Sequence, residues 1–151
     1  MTVISDTSPL NYLALIDLQD LLPALFGRVL IPEAVWHELS SPAAPQPVKD
    51  WLGTSPSWLD RRIVSQISPD LKELDSGERE AIALAQSVDA GLVLLDERRG
   101  RRVARGLGLT VSGTLGVLDL AARRGLVDLA DAFSRLERTT FRATPRLLRR
   151  I

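Results

Sequence analysis

Short apolar runs alternate with helix-like segments along almost the whole chain, and this alternation restricts the fold more than any other feature. The apolar runs that predict strands cover residues 2–5, 28–31, 91–95 and 109–111, and a weakly alternating segment predicts a further strand at 58–65. The segments that predict helices cover residues 7–15, 18–26, 32–39, 48–52, 75–89, 99–107, 114–124 and 128–138. Strands that alternate with helices form crossover units, so the sequence predicts an α/β fold with a mainly parallel central sheet and helices on both faces.

The size and composition are those of one globular domain. The chain has 151 residues, of which 45% are hydrophobic and 25% are charged, and these proportions exclude a disordered or low-complexity chain. No linker or internal repeat divides it, so we expect a single domain over residues 1–151. No apolar run approaches the ~20 residues of a membrane-spanning helix, and the N-terminus lacks a secretory-signal pattern. We therefore expect a cytoplasmic protein without membrane attachment.

The residue inventory limits the chemistry of any site. The chain has no cysteine and a single histidine, His37. The inventory excludes disulfides and thiolate metal sites and argues against a zinc site or a Ser–His triad. Neither a phosphate-binding loop nor a dinucleotide-binding glycine motif is present. A metal ion would therefore have to be held by oxygen atoms.

Two aspartates directly follow predicted strands. Asp6 comes after the strand at 2–5, and Asp96 comes after the strand at 91–95. Ligands of open α/β sheets collect at the carboxyl ends of the strands, so neighbouring strands would bring both carboxylates to one edge. Asp is also frequent in strand-end turns and at helix N-caps, and this structural explanation stays open for each residue taken alone.

Two glutamates on predicted helices are candidates to join these aspartates. Glu38 borders the inward stripe of the helix at 32–39, although a solvated position is the alternative. Glu78 projects nearer the inward face of its helix than Glu80, which we expect to face solvent. Glu78 has a structural alternative as well, because Asp75 and Glu78 have the spacing of a capping box.

The candidate acidic cluster has four members: Asp6, Glu38, Glu78 and Asp96. Carboxylates packed together repel one another unless a cation or protons compensate the charge. Mg²⁺ or Mn²⁺ is a suitable cation, because both prefer carboxylate and water ligands. The pattern therefore predicts a divalent-cation site but does not identify a substrate.

Charge is distributed unevenly, although the net charge of the chain is zero. Residues 1–97 contain 15 acidic and 6 basic residues, a net charge of −9, whereas residues 98–151 contain 4 acidic and 13 basic residues, a net charge of +9. The asymmetry favours a polyanion or an acidic protein as partner, and neutralisation of one half by the other is the competing interpretation. Either phosphate binding or a solvated helix face would explain five arginines: Arg98, Arg99, Arg101, Arg102 and Arg105.

Five motifs, in order and spacing, resemble the PIN-domain family. They are Asp6-Thr-Ser-Pro-Leu10, Pro32-Glu-Ala-Val-Trp-His-Glu-Leu39, Gly77-Glu-Arg-Glu-Ala-Ile-Ala-Leu-Ala85, Leu94-Leu-Asp-Glu-Arg-Arg99 and Val111-Ser-Gly-Thr-Leu-Gly-Val-Leu118. The resemblance covers about residues 2–120 and leaves a basic C-terminal segment at 121–151. The last motif is similar to a largely uncharacterised prokaryotic branch of the family, and many small prokaryotic members are VapC-type toxins.

The resemblance implies a three-layer α/β/α fold and a ribonuclease activity that uses Mg²⁺ or Mn²⁺. It implies that the four acids of the cluster hold the metal, and that cleavage leaves 5′-phosphate and 3′-hydroxyl ends. Ser8 matches a side chain that often accompanies the first acid of the family. The third acid of the family is usually an aspartate, so Glu80 competes with Glu78 for this role, and Glu97 competes with or adds to Asp96.

The sequence therefore predicts a metal-dependent endoribonuclease that acts as the toxin of a toxin–antitoxin pair. The expected partners are an RNA substrate, an antitoxin protein and a second copy of the chain in a homodimer. One alternative is a catalytically silent PIN-like module that binds RNA or protein, and weak Mg²⁺ binding would distinguish it. A DNA-directed nuclease ranks last, because the chain lacks an evident DNA-clamping insertion.

Overall fold

A five-stranded parallel sheet forms the centre of the computed structural model, which describes residues 1–141. The strands are β1 (Val3–Ser5), β2 (Val29–Pro32), β3 (Leu59–Arg62), β4 (Leu92–Leu94) and β5 (Val111–Ser112). Their spatial order is β3-β2-β1-β4-β5, and every neighbouring pair is parallel. The expected α/β class with a parallel central sheet is confirmed. The last ten residues of the predicted basic C-terminal segment lie outside the described residues.

Helices supply the crossovers that parallel strands require. They are α1 (Thr7–Leu15), α2 (Leu21–Phe26), α3 (Glu33–Leu39), α4 (Gln46–Gly53), α5 (Ser76–Ser87), α6 (Arg98–Gly106), α7 (Thr114–Arg123) and α8 (Leu129–Glu137). A 3-10 turn at Pro69–Leu71 precedes α5. Within residues 1–141, no helix has the length and apolar character needed to span a membrane.

Two hydrophobic cores form because successive strand residues point to opposite faces of the sheet. On β1, Val3 packs in the core that contains α1, α2 and α7, whereas Ile4 packs in the core that contains α5 and α6. Residues of β2 and β4 alternate between the cores in the same way. The sheet therefore lies between two helical layers, which is the three-layer arrangement expected.

Several element boundaries differ from the expectations by one to three residues; α2, for example, begins at Leu21 rather than at residue 18. Three other differences have a visible cause. The strand predicted at 58–65 is paired only as far as Arg62, because its single neighbour β2 ends opposite it at Pro32. Strand β5 starts at Val111 rather than at residue 109, because the N–H of Leu109 donates to Ala104 in the turn after α6. Helix α4 begins at Gln46, two residues earlier than expected, since proline is compatible with a first helical turn.

The order of the strands reverses beside β1. The chain builds β2 and β3 on one side of β1 and then crosses to build β4 and β5 on the other side. In open α/β sheets, ligands bind outside the carboxyl ends of the strands at such a switch point. The carboxyl ends of β1 and β4 therefore define the position of the candidate site.

Candidate active site

Asp6 lies at the switch point of the sheet. Its backbone N–H donates to the carbonyl oxygen of Leu94 at 3.0 Å, which joins the end of β1 to β4. Asp6 immediately precedes α1, yet its side chain makes no capping hydrogen bond to that helix. The residue is only 6% exposed and lines a cleft at the carboxyl edge of the sheet. A role as a helix cap therefore does not explain this aspartate.

Asp96 is held in place by three hydrogen bonds. Its Oδ1 accepts from the backbone N–H of Thr114 at 2.7 Å, and its Oδ2 accepts from the hydroxyls of Thr114 at 2.7 Å and Ser8 at 2.8 Å. Gly113 leaves room for this arrangement, because a Cβ there would lie 2.6 Å from Oδ1 of Asp96. The carboxylate thus connects the end of β4 to the first turns of α1 and α7.

Sequence reasoning missed the part played by Thr114. This residue is completely buried and supplies two of the three hydrogen bonds to Asp96. The signal available in the sequence was the Gly113-Thr114 pair at the start of a helix that follows a strand. A hydroxyl and a free N–H at such a position can both bind a carboxylate.

Asp6 and Glu38 converge on Gly77 in the first turn of α5. A Cβ at Gly77 would lie 2.8 Å from Oδ1 of Asp6 and 2.9 Å from Oε1 of Glu38. The two oxygens therefore face the same small volume, which any side chain at this position would fill. This glycine permits the close approach of two carboxylates from different elements.

Glu78 is buried between α5 and α6. It is 5% exposed, and its Oε2 has no hydrogen-bond partner. That oxygen lies against Gly100, where a Cβ would overlap it. The backbone N–H of Glu78 donates to Oδ1 of Asp75 at 2.9 Å, so Asp75 caps α5 as the capping-box interpretation expects. The cap accounts for Asp75 but not for the buried carboxyl group of Glu78.

Glu80 does not face solvent as expected. It is partly buried, and its Oε1 accepts a hydrogen bond from the backbone N–H of Ala34 at 3.2 Å. Ala34 lies in the first turn of α3, whose N–H groups have no partners within the helix. Glu80 therefore helps to fix α3, the helix that carries Glu38. The expectation was wrong because the packing of α3 on α5 is a tertiary contact.

One cleft of about 390 Å³ brings the predicted acids together. Its lining includes Asp6, Thr7, Ser8, Asn11, Tyr12, Glu38, Asp75, Glu78, Asp96, Glu97, Thr140 and Phe141. Within residues 1–141, no three carboxylate or histidine side chains are placed so that they could hold one metal ion together. The four acids of the candidate cluster thus line one cleft, but they do not converge on one position where an ion could bind to three of them.

Burial and mutual repulsion raise the pKa values of two of these acids. Burial raises the pKa of Asp6 to about 7, and the charges of Asp75, Glu38 and Asp96 add to this effect. Burial likewise raises the pKa of Glu78 to about 8, with further contributions from Asp75, Asp6 and Glu97. The described part of the protein therefore does not fully stabilise the negative charge of these two carboxylates.

These residues fit a hard divalent cation. All the donors are carboxylate or hydroxyl oxygens, which Mg²⁺ and Mn²⁺ prefer. The volume shared by Asp6 and Glu38 at Gly77 is bounded by two oxygens, and Oε2 of Glu78 is buried without a partner. Asp6 and Glu38 present oxygens to one volume, and Asp96 and Glu78 line the same cleft.

The arginines of α6 differ in their surroundings. Arg101 is partly buried and interacts electrostatically with Asp96, and burial lowers its pKa from the ordinary value. Arg99 forms an ion pair with Glu73 at 2.8 Å. The other three, Arg98, Arg102 and Arg105, are exposed. The predicted basic helix therefore adjoins the cleft at Asp96 through Arg101.

An acidic cleft at the switch point of a parallel sheet is an arrangement suited to metal-assisted chemistry on phosphate esters. A family model, DUF3368, described as a PIN domain, matches residues 2–151. The chain therefore belongs to the PIN-domain family and has a nuclease-type fold, and the resemblance drawn from the five motifs is confirmed. No curated protein gives a significant match to the chain.

The free energy of unfolding of the metal-free protein should fall as the pH rises from about 4 to about 8. The ordinary pKa values of Asp6 and Glu78 are 3.8 and 4.5, and folding raises them to about 7 and about 8. At these two groups the folded state therefore binds more protons than the unfolded state throughout this window, so their deprotonation favours unfolding. Urea unfolding in EDTA at several pH values measures the effect.

Asp6→Asn should flatten this pH dependence, because an amide does not titrate. Asp20→Asn is the matched control, since Asp20 is exposed and makes no side-chain capping bond. The control should keep the profile of the parent chain. An Asp6→Asn profile identical to that of the control would contradict the assignment of the raised pKa to Asp6.

Gly77→Ala should behave unlike an ordinary glycine-to-alanine change in a helix. Gly106→Ala, whose added Cβ would meet no atom within 4 Å, should stabilise the protein by ~0.5–1 kcal/mol. Gly77→Ala should lose this gain and should also reduce the rise in melting temperature caused by Mn²⁺, because its Cβ would fill the volume between Asp6 and Glu38. Equal stabilisation by both substitutions, with an undiminished response to Mn²⁺, would contradict the proposed convergence.

Proposed function

We propose that this protein is a divalent-metal-dependent endoribonuclease that uses Mg²⁺ or Mn²⁺. The observation that carries the proposal is the convergence of Asp6 and Glu38 on Gly77, at the carboxyl end of β1. Membership of the PIN-domain family supports the nuclease class. The raised pKa values of Asp6 and Glu78 are compatible with a cation requirement, because burial and, to a lesser extent, neighbouring acids disfavour their negative charge, and a cation would offset both effects.

Each acid has a distinct environment, which suggests its role. Asp6 and Glu38 would hold the ion, because their oxygens already face one volume. Ser8 and Thr114 keep Asp96 oriented towards the same cleft. When bound, a divalent cation lowers the pKa of water and stabilises negative charge on a phosphodiester. Glu78, with a pKa of about 8, is able to retain or release a proton near neutral pH.

The substrate backbone would lie between the acidic cleft and α6. The acids alone would repel phosphates, so positive charge beside the cleft is needed to attract them. Arg101 adjoins Asp96, and Arg102 and Arg105 extend the positive charge along exposed positions of α6. Arginine suits this task because its planar guanidinium binds phosphate oxygens in a bidentate manner.

We extend the proposal to the biological role that the family resemblance implies. The chain would act as a toxin in the cytoplasm, neutralised by a cognate antitoxin, and would form a homodimer. The −9/+9 distribution of charge is compatible with docking of an acidic protein on the basic half. The neighbouring reading frame tests this role, because a small DNA-binding protein encoded there would support it.

One observation favours the alternative of a catalytically silent module. Within the described residues, no three acids are placed to hold one ion together. Mutual repulsion of the carboxylates in a metal-free cleft accounts for their separation equally well. Calorimetric titration with Mg²⁺ distinguishes the two, because a silent module should bind the ion poorly and the proposed nuclease should bind it at a site that depends on Asp6.

Cleavage of single-stranded RNA should require a divalent cation and should stop in Asp6→Asn. Thr114→Val removes only the hydroxyl that orients Asp96, so it should reduce the rate by about 10–100-fold, the usual cost of losing such a supporting hydrogen bond. Asp20→Asn should cleave at the parental rate. A gel assay with a 5′-labelled RNA, with Mg²⁺, Mn²⁺ or EDTA, measures all three. Full cleavage by Asp6→Asn would remove Asp6 from the mechanism.

The affinity for RNA should fall with salt, because phosphate contacts release counterions. The log–log slope is ~0.7 for each phosphate neutralised on a single strand. Replacing Arg101 and Arg102 together by Gln should therefore reduce the slope by up to about 1.4, twice the value for one contact. The matched control replaces Arg123 and Arg124, which are exposed at the far end of α7. Equal slopes in both double variants would show that Arg101 and Arg102 of α6 do not contact the phosphates of the bound RNA.

A further inference from the structure

The cleft extends past the acids along one face of α1. Thr7, Ser8, Asn11 and Tyr12 all line it, as expected for residues three and four apart on a helix. Ser8 binds Asp96, so Asn11 and Tyr12 lie one turn farther from the acids. No part of the proposed metal chemistry uses these last two side chains.

Tyr12 belongs to a small aromatic group at the end of the cleft. Its ring packs edge-to-face on Phe141, with the ring centroids 5.1 Å apart. Its hydroxyl forms a 2.9 Å hydrogen bond with the hydroxyl of Thr140. Phe141 and Thr140 line the same cleft. These contacts hold the tyrosine ring at the end of the cleft that the acids also line.

Asn11 adds an amide to this aromatic group. The residue is partly exposed and lines the cleft. Within residues 1–141, its side chain makes no hydrogen bond, so its donor and acceptor are both available to a ligand. An amide presents one donor and one acceptor side by side, and this pair matches the edge of a nucleobase.

We propose that Asn11, Tyr12 and Phe141 form a subsite for one unpaired nucleobase, next to the phosphate that would be cleaved at the acids. This inference rests on the proposed function. Stacking on an aromatic ring needs a base whose face is open, and only an unpaired base in a single-stranded segment provides one. The cleft, at about 390 Å³, lies within the range of small-ligand pockets. The substrate would therefore be RNA that is single-stranded at the cleavage point.

The experiment uses the full chain carrying Asp6→Asn, so that the RNA stays intact, in the presence of Mg²⁺. The probes are short oligouridylates with one 2-aminopurine, placed at each position in turn, and the same oligonucleotides in a duplex. We expect quenching of 2-aminopurine fluorescence at one position of the single strand and much weaker binding of the duplex.

Tyr12→Leu should abolish this quenching and weaken binding by about 5–150-fold, the usual range for loss of one stacked base. Tyr12→Phe keeps the ring and should keep the quenching. Phe26→Leu removes a partly buried ring of the hydrophobic core away from the cleft and controls for a general loss of packing. Asn11→Ala should keep the quenching but reduce discrimination between bases at that position, and it does not disturb the tyrosine packing.

Two outcomes would overturn the subsite in different ways. If the parent chain cleaves single-stranded RNA, but Tyr12→Leu and Asn11→Ala bind the probes as Phe26→Leu does, the nuclease proposal stands and the nucleobase subsite falls. If the parent chain neither cleaves RNA nor binds any single-stranded probe, the proposed function fails, and the subsite fails with it.

Discussion

Burial of the Asp6 carboxylate beside other acids at the end of β1 is the constraint on which the rest of the site depends. Asp6 is 6% exposed and shares with Glu38 the volume above Gly77. Glu38 itself is exposed, but burying the Asp6 carboxylate next to other negative charges is costly unless a proton or a cation neutralises it. The pKa of Asp6, about 7, shows that protonation offsets part of this cost near neutral pH. A fold that retains this arrangement is suited to a ligand that carries positive charge.

The surrounding structure holds the acids in place against this repulsion. The parallel pairing of β1 with β4 brings Asp6 and Asp96 to one edge of the sheet. Hydrogen bonds from Ser8 and Thr114 fix Asp96, and Glu80 fixes the helix that carries Glu38. The stabilising contacts come from α1, α3, α5 and α7, so the site depends on the packing of both helical layers.

The sequence predicted what local patterns determine. Apolar runs located most of the strands, and the position of Asp6 and Asp96 after two of them predicted the candidate site. The sequence alone could not predict contacts between elements that are distant along the chain. Glu80 appeared solvent-facing because its hydrogen bond to Ala34 depends on the packing of α3 against α5. Thr114 was overlooked for the same reason, since it lies 18 residues from Asp96 along the chain. Strand β3 is shorter than the weakly alternating segment that predicted it, because β2, its neighbour in the described sheet, ends at Pro32.

The most direct test of this account is a crystal of the protein soaked in Mn²⁺, with the ion located by its anomalous scattering. The account predicts an anomalous peak within coordination distance of Oδ1 of Asp6 and Oε1 of Glu38, and loss of that peak in Gly77→Ala. Mn²⁺ bound only outside the cleft, or no bound ion at saturating concentration with both carboxylates in their present positions, would contradict the account.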